Sequence, residues 1–108
     1  MDKTLDGKVA IVTGGSRGIG RAMCLGLGAA GANVVVAART EEDNSAGTQF
    51  EKYGSGTIVD TAAQINDLGG AAFPVRCDVT QSEDLIHLVE AALERFGRID
   101  VVISNAGV

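Results

Sequence analysis

The sequence predicts an α/β fold: a doubly wound parallel sheet of strand order 3-2-1-4 with helices on both faces. Three observations lead to this prediction. Short runs rich in Val, Ile and Ala alternate with helical patterns in the order β-α-β-α-β-α-β. The strands are apolar on both faces, which is typical of parallel strands covered by helices on either side. Right-handed crossovers then restrict the topology to a doubly wound arrangement, of which the order 3-2-1-4 is the simplest.

The first two strands flank the first helix. Residues 8–13 form an apolar run that leads into a glycine-rich turn, and residues 33–38 form a second buried strand. Residues 18–30 have the helical period, and we expect Gly26 to make a close approach to the sheet from the inward face. That predicted inward face comprises Ile19, Ala22, Met23, Gly26, Leu27 and Ala30. Gly28 falls on the opposite face.

A long polar segment follows the second strand. Residues 39–56 contain three glycines and many polar side chains, which predicts a loop. Residues 57–68 predict a second helix, with Ile58, Ala62 and Ile65 on its apolar face. Residues 71–79 predict the third strand.

The third helix has the clearest pattern. Thr80 and Glu83 have the spacing of a capping box at its start, and Gly97 follows its end. Its predicted apolar stripe comprises Leu85, Ile86, Leu88, Val89, Ala92, Leu93 and Phe96. Residues 100–104 predict the fourth strand. If no further strand covers it, its apolar segment Val101-Val102-Ile103 would form an open edge, which is an aggregation hazard.

Composition excludes several classes of function. The chain has 108 residues, a formal charge of −5, no Trp and 4% aromatic residues, so nucleic acids and anionic membranes are not expected partners. The chain is long enough for one small domain. Cys24 and Cys77 form no C-x-x-C pair, and no signal peptide precedes them. We therefore expect a soluble, cytoplasmic chain with reduced thiols.

The most informative segment joins the first strand to the first helix. It reads Thr13-Gly14-Gly15-Ser16-Arg17-Gly18-Ile19-Gly20. This T-G-x-x-x-G-x-G spacing is neither G-x-G-x-x-G nor a Walker loop. Glycines let the backbone approach a pyrophosphate, and the following helix start offers free N–H groups and a positive dipole end. The context favours a dinucleotide phosphate site over the alternative, a purely structural turn.

At these residues the chain resembles the classical short-chain dehydrogenase/reductase family, which has a Rossmann-type fold. Two further motifs support the resemblance at the ends of the third and fourth strands. They read Asp78-Val79 and Ser104-Asn105-Ala106-Gly107. The resemblance implies that Asp78 lies against the adenine of a nicotinamide cofactor and that the last three residues lie beside its ribose. Ser104 stands where the family usually has Asn.

The end of the second strand bears on which nicotinamide cofactor is bound. An NAD site has a carboxylate there, whereas this chain has Arg39 followed by Thr40. Arg39 can pair with a 2′-phosphate, and Arg17 is a second cation near the turn. In the family, basic residues at these two positions accompany NADP(H), so we favour NADP(H) over NAD(H). The alternative is that both arginines are solvated surface groups, and the nearby Glu41 and Glu42 favour it.

These arguments give one predicted set of cofactor-binding residues, with no metal ligand. The set is Thr13, Gly14, Ser16, Arg17, Gly18, Ile19, Gly20, Arg39, Thr40, Asp78, Val79, Asn105, Ala106 and Gly107.

No catalytic residue is predicted within the 108 residues. The resemblance implies a Ser, a Tyr-x-x-x-Lys pair and an Asn that follow the fourth strand in the family and would therefore lie beyond Val108. The only tyrosine, Tyr53, has Thr57 rather than Lys four residues later. His87 has polar neighbours and is interpreted as solvated. We therefore interpret residues 1–108 as the cofactor-binding half of an NADP(H)-dependent oxidoreductase. Alone it is expected to bind cofactor weakly and not to turn over.

The resemblance also bears on substrate and assembly. It implies hydride transfer to or from a small carbonyl or alcohol in a full-length form, and homo-oligomers only where the further helices of the family are present. The long loop is similar to that of hydroxysteroid dehydrogenase-like branches, although a fold does not determine a substrate. A non-catalytic NADP(H)-binding or interaction module is the alternative from another class, and a nonfunctional remnant is a third.

Overall fold

The computed structural model of the chain describes residues 4–15, 18–39 and 58–105. The strands are β1 (Val9–Thr13), β2 (Asn33–Ala38), β3 (Ala71–Arg76) and β4 (Val101–Ser104), and the helices are α1 (Gly18–Ala29), α2 (Ile58–Asp67) and α3 (Ser82–Phe96). The strands form one parallel sheet of order β3-β2-β1-β4, which confirms the predicted fold class and topology. None of the described helices is long and apolar enough to cross a bilayer.

The sheet is covered by two helices on one face and one helix on the other. Side chains alternate between the faces along a strand, so neighbouring residues of β2 belong to different cores. Val34 and Val36 pack with α1 and α2, and Val35 and Ala37 pack with α3. All four side chains are fully buried. The central position of β2, with a strand on either side, explains this apolar run.

The inward face of α1 differs from the predicted one. Gly20 and Cys24 are its buried residues, whereas Ile19 is 72% exposed. A Cβ on Gly26 would meet nothing within 4 Å, but a Cβ on Gly28 would lie 2.7 Å from Ile65 Cγ2 of α2. The predicted close approach of Gly26 to the sheet was therefore wrong, and Gly28 instead lies close to α2. The side chains of α1 are small or apolar around most of its circumference, so the periodicity of its sequence does not determine which side faces inward.

The predicted capping box at the start of α3 is also wrong. The helix begins after Gln81, which makes no side-chain cap hydrogen bond. Thr80 Oγ1 donates instead to Asp78 Oδ1 at 2.7 Å, because the carboxylate competes for the hydroxyl. The preceding strand ends at Arg76 rather than at residue 79. Gly97 ends the helix as predicted, with φ 81° and its N–H donating to the Leu93 carbonyl at 2.7 Å.

The predicted apolar stripe of α3 is only partly buried. Leu88 and Ala92 are buried, and Phe96 packs on Phe73 with a ring-centroid distance of 5.6 Å. The other large members of the stripe are exposed, together with Val102 of β4, which is 62% exposed. We call this set the open apolar surface; it comprises Leu85, Ile86, Val89 and Leu93 of α3 and Val102 of β4.

Candidate functional site

The predicted site residues that the structure describes lie where the four parallel strands end. Ligands of open α/β sheets bind outside the carboxyl ends of the strands, where the strand order reverses. This reversal occurs at β1, which lies between β2 and β4. Gly14 follows β1, Arg39 follows β2, Asp78 lies two residues after β3, and Asn105 follows β4. Five predicted residues lie outside the described part of the chain: Ser16, Arg17, Thr40, Ala106 and Gly107.

The turn after β1 depends on glycine at specific positions. Gly14 has φ 74° and Gly18 has φ 63°, a left-handed conformation that other residues rarely adopt. A Cβ on Gly15 would lie 2.8 Å from Val36 Cγ1 and 3.0 Å from Cys24 Sγ, so this residue is enclosed between β2 and α1. The glycines therefore set both the shape of the turn and its depth in the fold.

Gly20 brings α1 against the turn and against the end of β4. A Cβ on Gly20 would overlap the Gly14 carbonyl oxygen and would lie 2.8 Å from Asn105 Nδ2. Two predicted site segments that are distant in sequence are therefore adjacent in space. Close backbone approach of this kind is what a pyrophosphate site requires of its glycines.

Hydrogen bonds tie the turn to three neighbouring elements. The Gly15 N–H donates to the Ala37 carbonyl at 3.1 Å, and the Gly15 carbonyl accepts from Thr61 Oγ1 of α2 at 3.0 Å. Thr13 Oγ1 accepts from the Asn105 N–H at 3.2 Å and donates to the Ile103 carbonyl at 3.4 Å. The Thr13 hydroxyl is thus engaged within the sheet.

The contact between Gly15 and Thr61 was not predicted from the sequence. Thr61 is fully buried between the apolar positions of α2, and its hydroxyl needs a partner there. A hydroxyl residue beside Ala62 on the apolar face of a predicted helix was the available signal. It indicates a buried polar contact but does not identify Gly15 as the partner.

The start of α1 is suited to an anion. The first N–H groups of a helix have no partner within it, and the helix dipole places partial positive charge there. Gly18 and Ile19 are both exposed, and the first turn has no acidic residue. An exposed helix start without acidic residues favours the binding of an anionic group such as a phosphate.

A second group of polar residues lies at the ends of β2 and β3. Asp78 Oδ1 accepts the N–H and the hydroxyl of Thr80 at 3.0 and 2.7 Å. These two hydrogen bonds, aided by the charges of Arg39 and Arg76, lower the pKa of Asp78 below its ordinary value. Arg39 is exposed and, within the described residues, forms no ion pair. The site therefore combines a cation that can bind a phosphate with an ionised acceptor.

The thiols are buried next to this site, Cys24 against Gly15 and Cys77 directly before Asp78, and the histidine lies on α3. Cys24 and Cys77 are free and buried, on opposite faces of the sheet. Burial raises the pKa of Cys24 to about 12 and also raises that of Cys77. His87 is exposed on α3, as predicted. Among the described residues, no three His, Cys, Asp or Glu side chains are grouped to hold a metal ion.

Comparison with known proteins identifies the family. Residues 8–108 match the family described as short chain dehydrogenase, a match that includes the glycine turn and all four strands. The chain belongs to the short-chain dehydrogenase family. The proteins of this family are oxidoreductases that use a nicotinamide cofactor.

The relatives include hydroxysteroid dehydrogenases. The chain is 38% identical over 103 residues to the 7alpha-hydroxysteroid dehydrogenase of Escherichia coli strain K12, covering 95% of this chain and 35% of that protein. It is 41% identical over 102 residues to hydroxysteroid dehydrogenase-like protein 2 of Rattus norvegicus, covering 94% of this chain and 18% of that protein. The chain thus spans about a third of the bacterial relative and less of the mammalian one.

A solved structure supports the same assignment. The crystal structure of hydroxysteroid dehydrogenase from Escherichia coli superposes with a TM-score of 0.78 at 33% identity. The superposed region covers 98% of this chain and 39% of the chain in that crystal structure. The similarity to hydroxysteroid dehydrogenases suggested by the long loop is therefore confirmed at the level of sequence and fold.

Proposed function

We propose that residues 1–108 form the NADP(H)-binding half of an oxidoreductase that transfers a hydride between the nicotinamide and a small carbonyl or alcohol. The observation on which this proposal depends is the exposed Arg39 directly after β2. An NAD site would have a carboxylate at this position, which would repel a 2′-phosphate. Arg39 can instead bind that phosphate through a charge-assisted hydrogen bond.

The other residues bind and orient the remainder of the cofactor. The turn that contains Gly14 and Gly18 holds the diphosphate, the Asp78-Val79 segment lies along the adenine, and Asn105 lies beside the ribose. The remaining members of the proposed site are Thr13, Ser16, Arg17, Ile19, Gly20, Thr40, Ala106 and Gly107. The bound nicotinamide supplies or accepts the hydride.

Two names among the relatives support an alcohol or carbonyl substrate, since both contain the term hydroxysteroid dehydrogenase. The proton-transfer residues that the family resemblance implies, a Ser and a Tyr-x-x-x-Lys pair, do not occur as a set in the 108 residues. We therefore propose that they belong to further sequence, along with the helices that would form subunit contacts. A cytoplasmic location fits the two free thiols.

The test compares NADPH with NADH as ligands of the ¹⁵N-labelled chain by NMR titration, a method that measures weak binding. Arg39→Asp should lower NADPH affinity by about 10- to 150-fold and shift preference toward NADH, because a charged hydrogen bond is lost and repulsion is added. Arg39→Lys retains the charge and should lie between the two. Lys8→Glu makes an equal change in net charge at the opposite end of the strands and serves as the control.

Equal binding of NADPH and NADH by the unchanged chain, or selectivity that Arg39→Asp leaves unaltered, would contradict the NADP(H) assignment. Chemical-shift changes should centre on residues 14–20. Their absence with both cofactors would contradict the cofactor-binding proposal itself.

A further inference from the structure

Asp78 is held at each of its polar groups but one. Its N–H donates to Asp84 Oδ2 at 2.9 Å, and its carbonyl accepts from the Gln81 N–H at 2.9 Å. Its Oδ1 accepts both donors of Thr80. Within the described residues, no hydrogen bond reaches Asp78 Oδ2. The backbone and one carboxylate oxygen are thus fixed, and the other oxygen is available as an acceptor.

Asp84 is the residue that fixes the backbone of this turn from a distance. It lies in the first turn of α3, six residues beyond Asp78, and reaches back across the whole turn. Its charge is favourable at the positive end of the helix, and Arg76 Nη1 lies 3.9 Å from the same carboxylate oxygen. Glu83, next to it, is exposed and makes no hydrogen bond to the turn within the described residues. Only one of two adjacent carboxylates therefore holds the Asp78 segment.

We infer that Asp84 is a positioning residue for cofactor binding: it holds the turn so that Asp78 Oδ2 accepts a hydrogen bond from the exocyclic amine of the adenine. This inference rests on the proposed function. The hydrogen bonds from Thr80 orient the Asp78 carboxylate, and the hydrogen bond to Asp84 fixes the position of the Asp78 backbone. Loss of the Asp84 contact would leave the acceptor present but misplaced, and hydrogen bonds weaken steeply with such misalignment.

A purely structural role for Asp84 makes a different prediction from a positioning role. If Asp84 only stabilised the fold, its loss would lower the affinity of the site for every ligand by the same factor. If it positions Asp78 toward the adenine amine, its loss would selectively remove discrimination between adenine and hypoxanthine. Hypoxanthine has a carbonyl oxygen in place of that amine. Because this oxygen and the Asp78 carboxylate are both acceptors, no hydrogen bond can form between them. The ratio of the two affinities is therefore the decisive measurement.

The experiment titrates the ¹⁵N-labelled 108-residue chain with NADP⁺ and with nicotinamide hypoxanthine dinucleotide phosphate. The unchanged chain should prefer NADP⁺ by about 10-fold or more. Asp84→Ala should reduce that preference to within about threefold. Asp84→Asn retains an acceptor oxygen for the Asp78 N–H and should keep most of the preference. Glu83→Ala removes an equal charge from the same helical turn and should leave the preference unchanged.

The possible outcomes distinguish failure of this inference from failure of the proposed cofactor binding on which it rests. Binding of neither dinucleotide by the unchanged chain would overturn both. Binding with an adenine preference that Asp84→Ala leaves intact, or with equal losses for both dinucleotides, would overturn the positioning role alone. The Asp78 amide signal gives an independent check without ligand: it should shift strongly in Asp84→Ala and little in Glu83→Ala. An Asp78 amide that is indifferent to Asp84→Ala would contradict the hydrogen bond itself.

Discussion

The two faces of the sheet differ in how completely the described residues cover them. On the face of α1 and α2, Ile58, Thr61 and Ile65 are all fully or almost fully buried, and α1 approaches α2 closely at Gly28. On the face of α3, the open apolar surface is in contact with solvent. The glycine turn is fastened to the first face, through Thr61. The shape of the proposed cofactor site therefore depends mainly on the well-packed side of the molecule.

The largest expected effect tests this difference with one substitution on each face. Ile65→Ala in α2 removes a side chain that is 2% exposed, so we expect a loss of about 2–5 kcal/mol in the free energy of unfolding. Ile86→Ala in α3 makes the same chemical change at a side chain that is 59% exposed, and should cost less than about 1 kcal/mol. Urea unfolding followed by circular dichroism measures both. Similar losses at the two positions would contradict the comparison.

A smaller effect, of opposite sign at two positions, is expected within α1. Gly28→Ala places a Cβ 2.7 Å from Ile65 Cγ2, which overpacks the α1–α2 contact and should destabilise by about 1–3 kcal/mol. Gly26→Ala adds a Cβ that meets nothing within 4 Å and should stabilise by about 0.5–1 kcal/mol through helix propensity. Thermal unfolding of the two variants, which have the same composition, provides the measurement. Stabilisation by Gly28→Ala would mean that α1 and α2 are further apart than described.

The same two glycines show what the sequence could predict and what it could not. Strand order followed from apolar runs and crossover handedness, because these depend on local pattern and on a general rule of topology. The side of α1 that faces inward did not follow, since the helix is apolar or small around most of its circumference. Which glycine makes the close approach depends on the position of Ile65, a residue of another helix.

The site shows the same division between local pattern and tertiary contact. The spacing of the glycines predicted where the turn would lie, and the structure places it between β1 and α1. The partner of Thr61 and the bond from Asp84 to Asp78 depend on elements brought together by the fold. The prediction of a capping box was wrong for a related reason. The Thr80 hydroxyl could bond either to the first-turn amides of α3 or to the Asp78 carboxylate, and the capping-box pattern includes only the first of these.

The smallest expected effect concerns Asp100, which directly precedes β4 and accepts a hydrogen bond from the first residue of β1. Asp100 Oδ2 accepts the Val9 N–H at 2.8 Å, and Oδ1 pairs with Arg98 at 2.7 Å. These contacts lower the pKa of Asp100 in the folded chain, and the hydrogen bond from Arg98 makes the largest contribution. A lowered folded pKa means that the carboxylate stabilises the fold above its unfolded pKa and that this contribution is lost as pH falls through the folded pKa. The ionised form of Asp100 is thus a stabilising element specific to the edge strand.

Replacing Asp100 by Asn should therefore make stability less dependent on pH. Between pH 7 and about pH 3, the free energy of unfolding should fall less in Asp100→Asn than in the unchanged chain, as measured by urea titration at each pH. Asp67→Asn is the matched control, because Asp67 is exposed at the end of α2 and its side chain makes no hydrogen bond within the described residues. An identical pH dependence in Asp100→Asn and Asp67→Asn would mean that the ionised Asp100 carboxylate does not help to hold β4 against β1.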